Sequence, residues 1–234
     1  MSDDRTSAHP EILDRWLARA AIAVVVALQF SLINDFGYGS RRLAPIAELI
    51  LLIPITAIGL RAERVARYAH DQDQWASASA YRGVAFALGV TLFIVVSLAN
   101  SRSLLLLIEA LLAGKTHNGR TLLLDALNIW ATNVVVFSLW YWGLDRGGPW
   151  IDTRDHRGPS EFIFPYMTLP AEIVAEVRPG YVDYLFLSFN TSTAFSPTDT
   201  LPLTARMKLL MMLEAVVSLL TLALVAARAV NILA

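Results

Sequence analysis

Long apolar runs with few charges are the feature that most constrains how this chain folds. A helix that crosses the hydrocarbon of a bilayer needs about 20 mostly apolar residues, and several stretches reach or approach that length. Composition agrees, since 56% of the 234 residues are hydrophobic, 17% are charged and mean hydropathy is +0.51. A soluble domain carries about a quarter charged residues. The sequence therefore predicts an all-α polytopic membrane protein with the lipid bilayer as its surroundings.

Several function classes are disfavoured by the same sequence. The chain has no cysteine and a net charge of −1, so neither a disulfide scaffold nor a nucleic-acid partner is expected. Its four histidines are scattered, without the spacing of metal ligands. Nothing resembles a nucleophile elbow or a phosphate-binding glycine loop. We expect no enzyme activity, no resident metal and no cofactor.

Six transmembrane helices are predicted, or five if the shortest apolar run does not cross. A polar tail, residues 1–15, comes first, and four spans form a peripheral region within residues 16–118. The remaining chain, residues 121–234, contains the last two spans. The predicted spans are 16–33, 43–60, 83–99, 103–114, 122–144 and 205–233. The run 103–114 is about a dozen residues long, a length at which buried and re-entrant segments compete with true spans.

Positive charge favours six spans, because Lys and Arg accumulate in short cytoplasmic loops. With six spans, the cytoplasmic side holds eight such residues, which are Arg5, Arg15, Arg61, Arg64, Arg67, Arg82, Lys115 and Arg120. The short outer loops then hold three, Arg41, Arg42 and Arg102. This count places both termini in the cytoplasm, at a plasma (inner) membrane. With five spans, the Arg61–Arg82 group and the carboxyl terminus lie on opposite sides instead.

One segment before the last span is too short to cross. An outer loop rich in Gly and Pro, residues 145–180, leads into the aromatic, amphiphilic stretch Tyr181–Asn190. A polar, proline-broken stretch, residues 191–204, follows. Non-helical backbone at membrane depth is tolerated only when it is buried in protein or lines a water-filled cavity. We therefore expect a re-entrant pore helix and a non-helical loop within residues 181–200.

The order of residues in this loop resembles the pore region of the potassium-channel superfamily, whose signature runs Thr-Val-Gly-Tyr-Gly-Asp-x-x-Pro-x-Thr. Here Asp199-x-x-Pro202-x-Thr204 keeps the outer-mouth spacing, after a hydroxyl-rich run at 191–193. The resemblance in residues covers about 181–233, and the six-span layout is similar as well. It implies a homo-oligomer, a tetramer, because one loop supplies only one wall of a filter. It also implies monovalent cations as the permeant ions.

The filter glycines of that family are absent. Phe195 occupies a glycine position, and Pro197 with Thr198 adds a residue before Asp199. Glycine reaches positive φ without a Cβ penalty, whereas proline fixes φ near −65°. We therefore expect weak or no selectivity among monovalent cations. Hydroxyl groups or a ring of carboxylates would bind these cations while they keep part of their hydration shell. The expected ion pathway comprises Thr191, Ser192, Thr193, Ala194, Phe195, Ser196, Pro197, Thr198 and Asp199.

Two alternatives stay open at this point. Glu214, in the last span, either lines the inner cavity and concentrates cations or pairs with a polar residue of a neighbouring helix. The chain is either a conducting channel or a non-conducting membrane protein that keeps the channel scaffold, its axis plugged by Phe195 and Pro197, with a structural or sensor role. Gating by an arginine voltage sensor is not expected, because the run 103–114 has no arginine.

Overall fold

The structure is a computed structural model, and it is predominantly helical, as predicted. It describes residues 8–31, 50, 53–54, 57–58, 61, 72–113, 119–148, 160–170, 178–193 and 199–233. The helices are α1 (Ala8–Ser31), α2 (Gln72–Leu112), α3 (Gly119–Arg146), α4 (Tyr181–Thr193) and α5 (Ala205–Leu233). Strand β1 (Phe162–Ile163) pairs antiparallel with β2 (Leu201–Pro202), with Phe162 opposite Pro202. A 3-10 turn (Pro165–Thr168) follows β1.

Within the described residues, three helices are long and apolar enough to cross a membrane. These segments are Ala80–Leu112 in α2, Arg120–Arg146 in α3 and Ala205–Ala227 in α5. A shorter apolar helix, Trp16–Leu28, lies in α1. Large apolar side chains of α2 such as Leu98 and Leu105 are mostly exposed on the outside of the bundle. An apolar surface of this kind suits lipid rather than water, so the helices indicate a membrane-embedded protein.

Helix α3 is the centre of the bundle. It contacts each of the other four helices. Within its apolar segment 67% is buried, whereas the apolar segments of α2 and α5 are 33% and 22% buried. The main core joins α3 to residues of all the other helices and of the β1 segment. Its large members include Ile22, Val25, Leu92, Phe93, Leu139, Tyr141, Trp142, Phe162, Tyr184, Leu187 and Met207.

The structure corrects one part of the predicted topology. The runs 83–99 and 103–114 were expected to be separate spans, but both lie in the single 41-residue helix α2. The polar residues at the expected break are accommodated without a turn. The amide of Asn100 donates to the carbonyl of Ile129 in α3 at 3.1 Å, and the hydroxyl of Ser103 donates to the carbonyl of Ala99 at 3.0 Å. Because a continuous helix does not reverse direction, the two runs cannot form two antiparallel spans.

The other predicted spans have different outcomes. The segments 16–33, 122–144 and 205–233 correspond to α1, α3 and α5. Helix α1 begins at Ala8, inside the predicted tail. The segment 43–60 lies outside the described residues, apart from the helical positions 50, 53–54 and 57–58.

Contacts along α1 fix its direction in the bundle. Near its start, the carboxylate of Asp14 accepts a hydrogen bond from the backbone N–H of Tyr181 at 3.1 Å. Near its end, the carbonyl of Leu28 accepts one from the amide of Asn128, early in α3, at 2.6 Å. Helix α1 therefore runs antiparallel to α3 and begins beside the start of α4.

We call this end of the bundle the cap end; it contains residues 160–170, 178–183 and 199–204. Helix α3 ends there, since Arg146 donates to Ser160 at 3.2 Å, and α5 begins there, since Leu203 N–H donates to the carbonyl of Glu161 at 2.9 Å. Further along α5, Val217 packs against Leu122 at the other end. The start of α1 and the end of α5 thus lie at opposite ends, whereas the six-span prediction placed both termini on one side.

Candidate functional site

Helix α4 is a short helix inserted between longer ones. Its 13 residues span about 20 Å, and it packs against α1, α3 and α5. The buried side chains are Tyr181, Tyr184, Leu187, Ser188 and Ser192. These positions recur at helical spacing, so one face of α4 carries both its apolar contacts and its buried hydroxyls.

The start of α4 is capped by two carboxylates. Asp183 accepts a hydrogen bond from the backbone N–H of Gly180 at 2.8 Å, in the manner of a capping box. Asp14 of α1 accepts one from the N–H of Tyr181 at 3.1 Å. Both place negative charge at the positive end of the helix dipole, which fixes the position of α4 at the cap end.

The other end of α4 meets a buried carboxyl group. Glu214 of α5 has no solvent exposure, and its carboxyl oxygens are contacted by hydroxyls from two helices. Tyr141 of α3 and Ser188 of α4 both make short hydrogen bonds to it, and Ser192 donates to it at 2.8 Å. We call these four residues the Glu214 cluster. The cluster ties α3, α4 and α5 together at the level where α4 ends.

Asn133 of α3 extends this cluster along α5. Its amide lies 3.3 Å from the backbone carbonyl of Glu214 and donates to the hydroxyl of Ser218 at 2.9 Å. Asn133 and Ser218 are both buried. Buried polar groups are costly unless they are hydrogen-bonded, and here each bond crosses between two helices.

The count of hydrogens favours a neutral carboxyl group on Glu214. The hydroxyl of Ser188 has one hydrogen but two acceptors within reach, Glu214 and the carbonyl of Val134 at 2.7 Å. If the carboxyl group carries the proton and donates it to Ser188, Ser188 is free to donate to Val134. Among the described residues, no lysine or arginine pairs with Glu214. A neutral group also avoids the cost of burying an unpaired charge.

A second buried carboxylate organises the cap end. Asp145, in the last turn of α3, is fully buried. It accepts short hydrogen bonds from the hydroxyl of Tyr184 and from the backbone N–H of Glu161. It also accepts one from the hydroxyl of Ser160 at 3.2 Å, and Arg146 pairs with it at 3.4 Å. Asp145 therefore joins α3 to α4 and to the segment that enters β1.

Glu161 continues this network to α5. Its carboxylate accepts hydrogen bonds from Arg206 and Thr204. The Arg206 guanidinium is the main reason that the pKa of Glu161 lies below its usual range. Together with the β1–β2 pair, these contacts hold the chain that follows the expected filter against the loop that precedes α4.

The expected ion-pathway residues fall into three groups. Thr191, Ser192 and Thr193 form the last turn of α4 rather than a loop. Thr191 and Thr193 donate to the carbonyls of their own helix, and Ser192 is buried in the Glu214 cluster. In this single chain Ser192 therefore faces Glu214, and its expected place in an ion pathway stays a prediction. Ala194, Phe195, Ser196, Pro197 and Thr198 lie outside the described residues. Asp199 is exposed at the cap end.

Of the two expectations for Glu214, the structure supports pairing with neighbouring helices. Its carboxyl group is enclosed by hydroxyls and does not line a cavity of this single chain. Sequence reasoning did not identify its partner Tyr141 or the buried Asp145. A buried carboxyl group in an apolar helix signals that polar partners exist. It does not identify them, because the partner Tyr141 lies 73 residues away.

In the described part of the chain, no group of three or more His, Asp or Glu residues could hold a metal ion. The polar side chains of the Glu214 cluster and of the cap end instead connect one helix to another. No protein-family model, no curated protein and no solved structure matches this chain significantly.

Proposed function

We propose that this protein is a pore-loop cation channel of the plasma (inner) membrane, assembled as a homotetramer. It conducts monovalent cations with weak or no selectivity, and no arginine voltage sensor gates it. The proposal combines the resemblance of residues 181–233 to the potassium-channel pore region with the packing of α4 between α3 and α5.

The path of the chain around α4 carries the proposal. Helix α4 starts at the cap end and ends beside Glu214, which lies nine residues after Ala205, or about 14 Å along α5. By Leu201 the chain is back at the cap end, paired with β1. A segment that goes into a helical bundle and returns to the same end is what a re-entrant pore helix requires.

The direction of α4 favours cations. Its amino-terminal end lies at the cap end, capped by Asp183, and its carboxyl-terminal end lies inside the bundle. Helix carbonyls give that inner end a partial negative charge. In pore-loop channels this arrangement attracts cations to the middle of the membrane.

The outer face of α4 supports an assembly of several chains. Val182, Phe186 and Phe189 share one face at helical spacing and are exposed, Phe186 to 65%. On α5, Leu209, Val216 and Leu219 form a comparable exposed stripe. Backbone that returns from membrane depth needs protein or water around it rather than lipid. Four copies around an axis provide that environment with closed symmetry.

The alternative is a non-conducting membrane protein that keeps this scaffold. One observation favours it: Ser192, expected to handle ions, is buried against Glu214. Conductance separates the two functions, because a plugged tetramer still assembles.

The test is a flux assay on purified protein in liposomes, with the oligomer mass measured in the same preparation. The proposal expects comparable leak of Na⁺ and K⁺ from liposomes that contain a tetramer. A tetramer without leak supports the scaffold alternative. A monomer without leak contradicts both.

A further inference from the structure

We infer that the cap end faces the cytoplasm, so that residues 160–170 and the start of α4 lie on the inner side of the membrane. This is the reverse of the sequence expectation, which placed the loop 145–180 outside. The inference concerns orientation alone and stands whether or not the protein conducts ions.

The first step is the direction of α2. The ring of Phe93 lies 5.5 Å from that of Trp140, near the end of α3, and Trp140 donates to Ser97 at 3.1 Å. Further along α2, Leu107 packs against Leu122, near the start of α3. Helix α2 therefore runs antiparallel to α3 and starts at the cap end.

Because α2 is one helix, the basic residue near its start belongs to the cap end. Arg82 precedes Phe93 by 11 residues, or about 16 Å of helix, and lies on the cap side of it. In the six-span count, three crossings separate Arg82 from the loop 145–180 and put them on opposite sides, whereas only the two helices α2 and α3 lie between them here.

The second step is the distribution of positive charge among the described residues that lie near the bundle ends. The cap half of the bundle holds seven such residues, which are Arg15, Arg19, Arg82, Arg146, Arg178, Arg206 and Lys208, and the opposite half holds three, Arg102, Arg120 and Arg228. Positive residues near the ends of spans mark the cytoplasmic side. Seven against three places the cap end in the cytoplasm.

The connecting residues do not reverse this difference. In sequence, Arg154 and Arg157 lie between Gly148 and Ser160, both of which are at the cap end, and Lys115 lies between α2 and α3 at the opposite end. Arg41 and Arg42 follow α1, which ends at the opposite end as well.

Ion pairing does not cancel the preference either. Arg206 pairs with Glu161, and Arg146 with Asp145. Orientation follows the count of Lys and Arg rather than net charge, since acidic residues contribute little to it. The exposed Arg178, just before α4, adds to the same side.

The absence of cysteine from the sequence makes a direct test available. Two single-cysteine variants place a thiol at each end: Leu169→Cys, at a side chain 50% exposed in the cap end, and Ala113→Cys, at an exposed position after α2. Each is treated with a membrane-impermeant maleimide in intact spheroplasts and again after permeabilisation. The unmodified chain serves as the background control.

Ala113→Cys is expected to react in intact spheroplasts, and Leu169→Cys only after permeabilisation. The reverse pattern overturns the inference. Reaction of both variants, or of neither, in intact spheroplasts puts the two positions on one side and overturns it as well. Pro170→Cys and Arg120→Cys form a second pair if a variant of the first does not accumulate. Cation flux is not read in this assay, so its outcome is independent of the channel proposal.

Discussion

Glu214 is a polar residue whose burial has to be offset by hydrogen bonds. It is fully buried, and three hydroxyls from α3 and α4 contact its carboxyl group. Removing one partner of a buried hydrogen bond costs more than the bond contributes, because the other partner stays desolvated. Substitutions at this position therefore measure how much the Glu214 cluster contributes to the stability of the packing between α4 and its neighbours.

We expect Glu214→Gln to be tolerated and Glu214→Ala to be strongly destabilising. The amide of glutamine both donates and accepts, as a neutral carboxyl group does, whereas alanine leaves three hydroxyls without their partner. We estimate the difference at about 3 kcal/mol, or roughly 10 °C in Tm. Thermal unfolding of both variants in one detergent measures it, and equal Tm values count against the proposed role of the cluster.

At the cap end, Tyr184→Phe is expected to lower the free energy of unfolding by about 1.5–3 kcal/mol. The substitution removes the hydroxyl that donates to the buried Asp145, and hydrogen bonds to charged groups are worth that much. Tyr81→Phe, at a tyrosine exposed on α2, is the matched control and should leave Tm unchanged. Equal Tm values for the two variants would show that the hydrogen bond from Tyr184 to Asp145 adds no stability.

At the scale of elements, sequence predicts helices better than the contacts between them. A short helix was expected over 181–190, and α4 extends to Thr193, with the hydroxyls of Thr191 and Thr193 bonded to carbonyls of their own helix. The break expected at 100–102 is absent, because the polar side chain of Asn100 donates to the carbonyl of Ile129 in another helix. Local pattern cannot reveal such a partner, and the same holds for Glu214 and Asp145.

The continuity of α2 predicts the effect of a proline within it. Ser101→Pro removes the backbone N–H that bonds the carbonyl four residues earlier, and its ring clashes with that carbonyl, at a cost of about 3 kcal/mol or more. In the loop that the sequence suggested, a proline there would be harmless. Ser101→Ala is the control. A Tm for Ser101→Pro close to that of Ser101→Ala indicates a break rather than a helix.

The link between β1 and α5 predicts a pH dependence in acid. Arg206 lowers the pKa of Glu161 in the folded protein. The ion pair therefore contributes its full free energy of stabilisation above the usual glutamate pKa, about 4.3. It is lost as pH falls further through the lowered value. Arg206 is 60% exposed, so the loss is at most about 1 kcal/mol. Tm measured between pH 3 and 6 should fall less for Arg206→Gln than for the unmodified chain; parallel curves argue against the link.

At the scale of the whole molecule, Asp199 tests the channel proposal. It is exposed at the cap end, and a ring of such carboxylates would concentrate cations at the mouth. Asp199→Asn is expected to reduce single-channel conductance in dilute salt, and the difference should shrink in concentrated salt as screening grows. Glu109→Gln, an exposed carboxylate near the opposite end, controls for charge removal elsewhere. Unchanged conductance of Asp199→Asn in dilute salt contradicts this placement.

The central claim is that α4 points its inner end at an axis shared by several chains. The most direct measurement is a single-particle reconstruction of the full chain in lipid nanodiscs, viewed along the membrane normal. We predict four copies, with the carboxyl-terminal ends of α4 converging on the axis and the face of Val182, Phe186 and Phe189 covered by protein. A single copy, or an assembly in which that face of α4 contacts lipid at the periphery, contradicts the account.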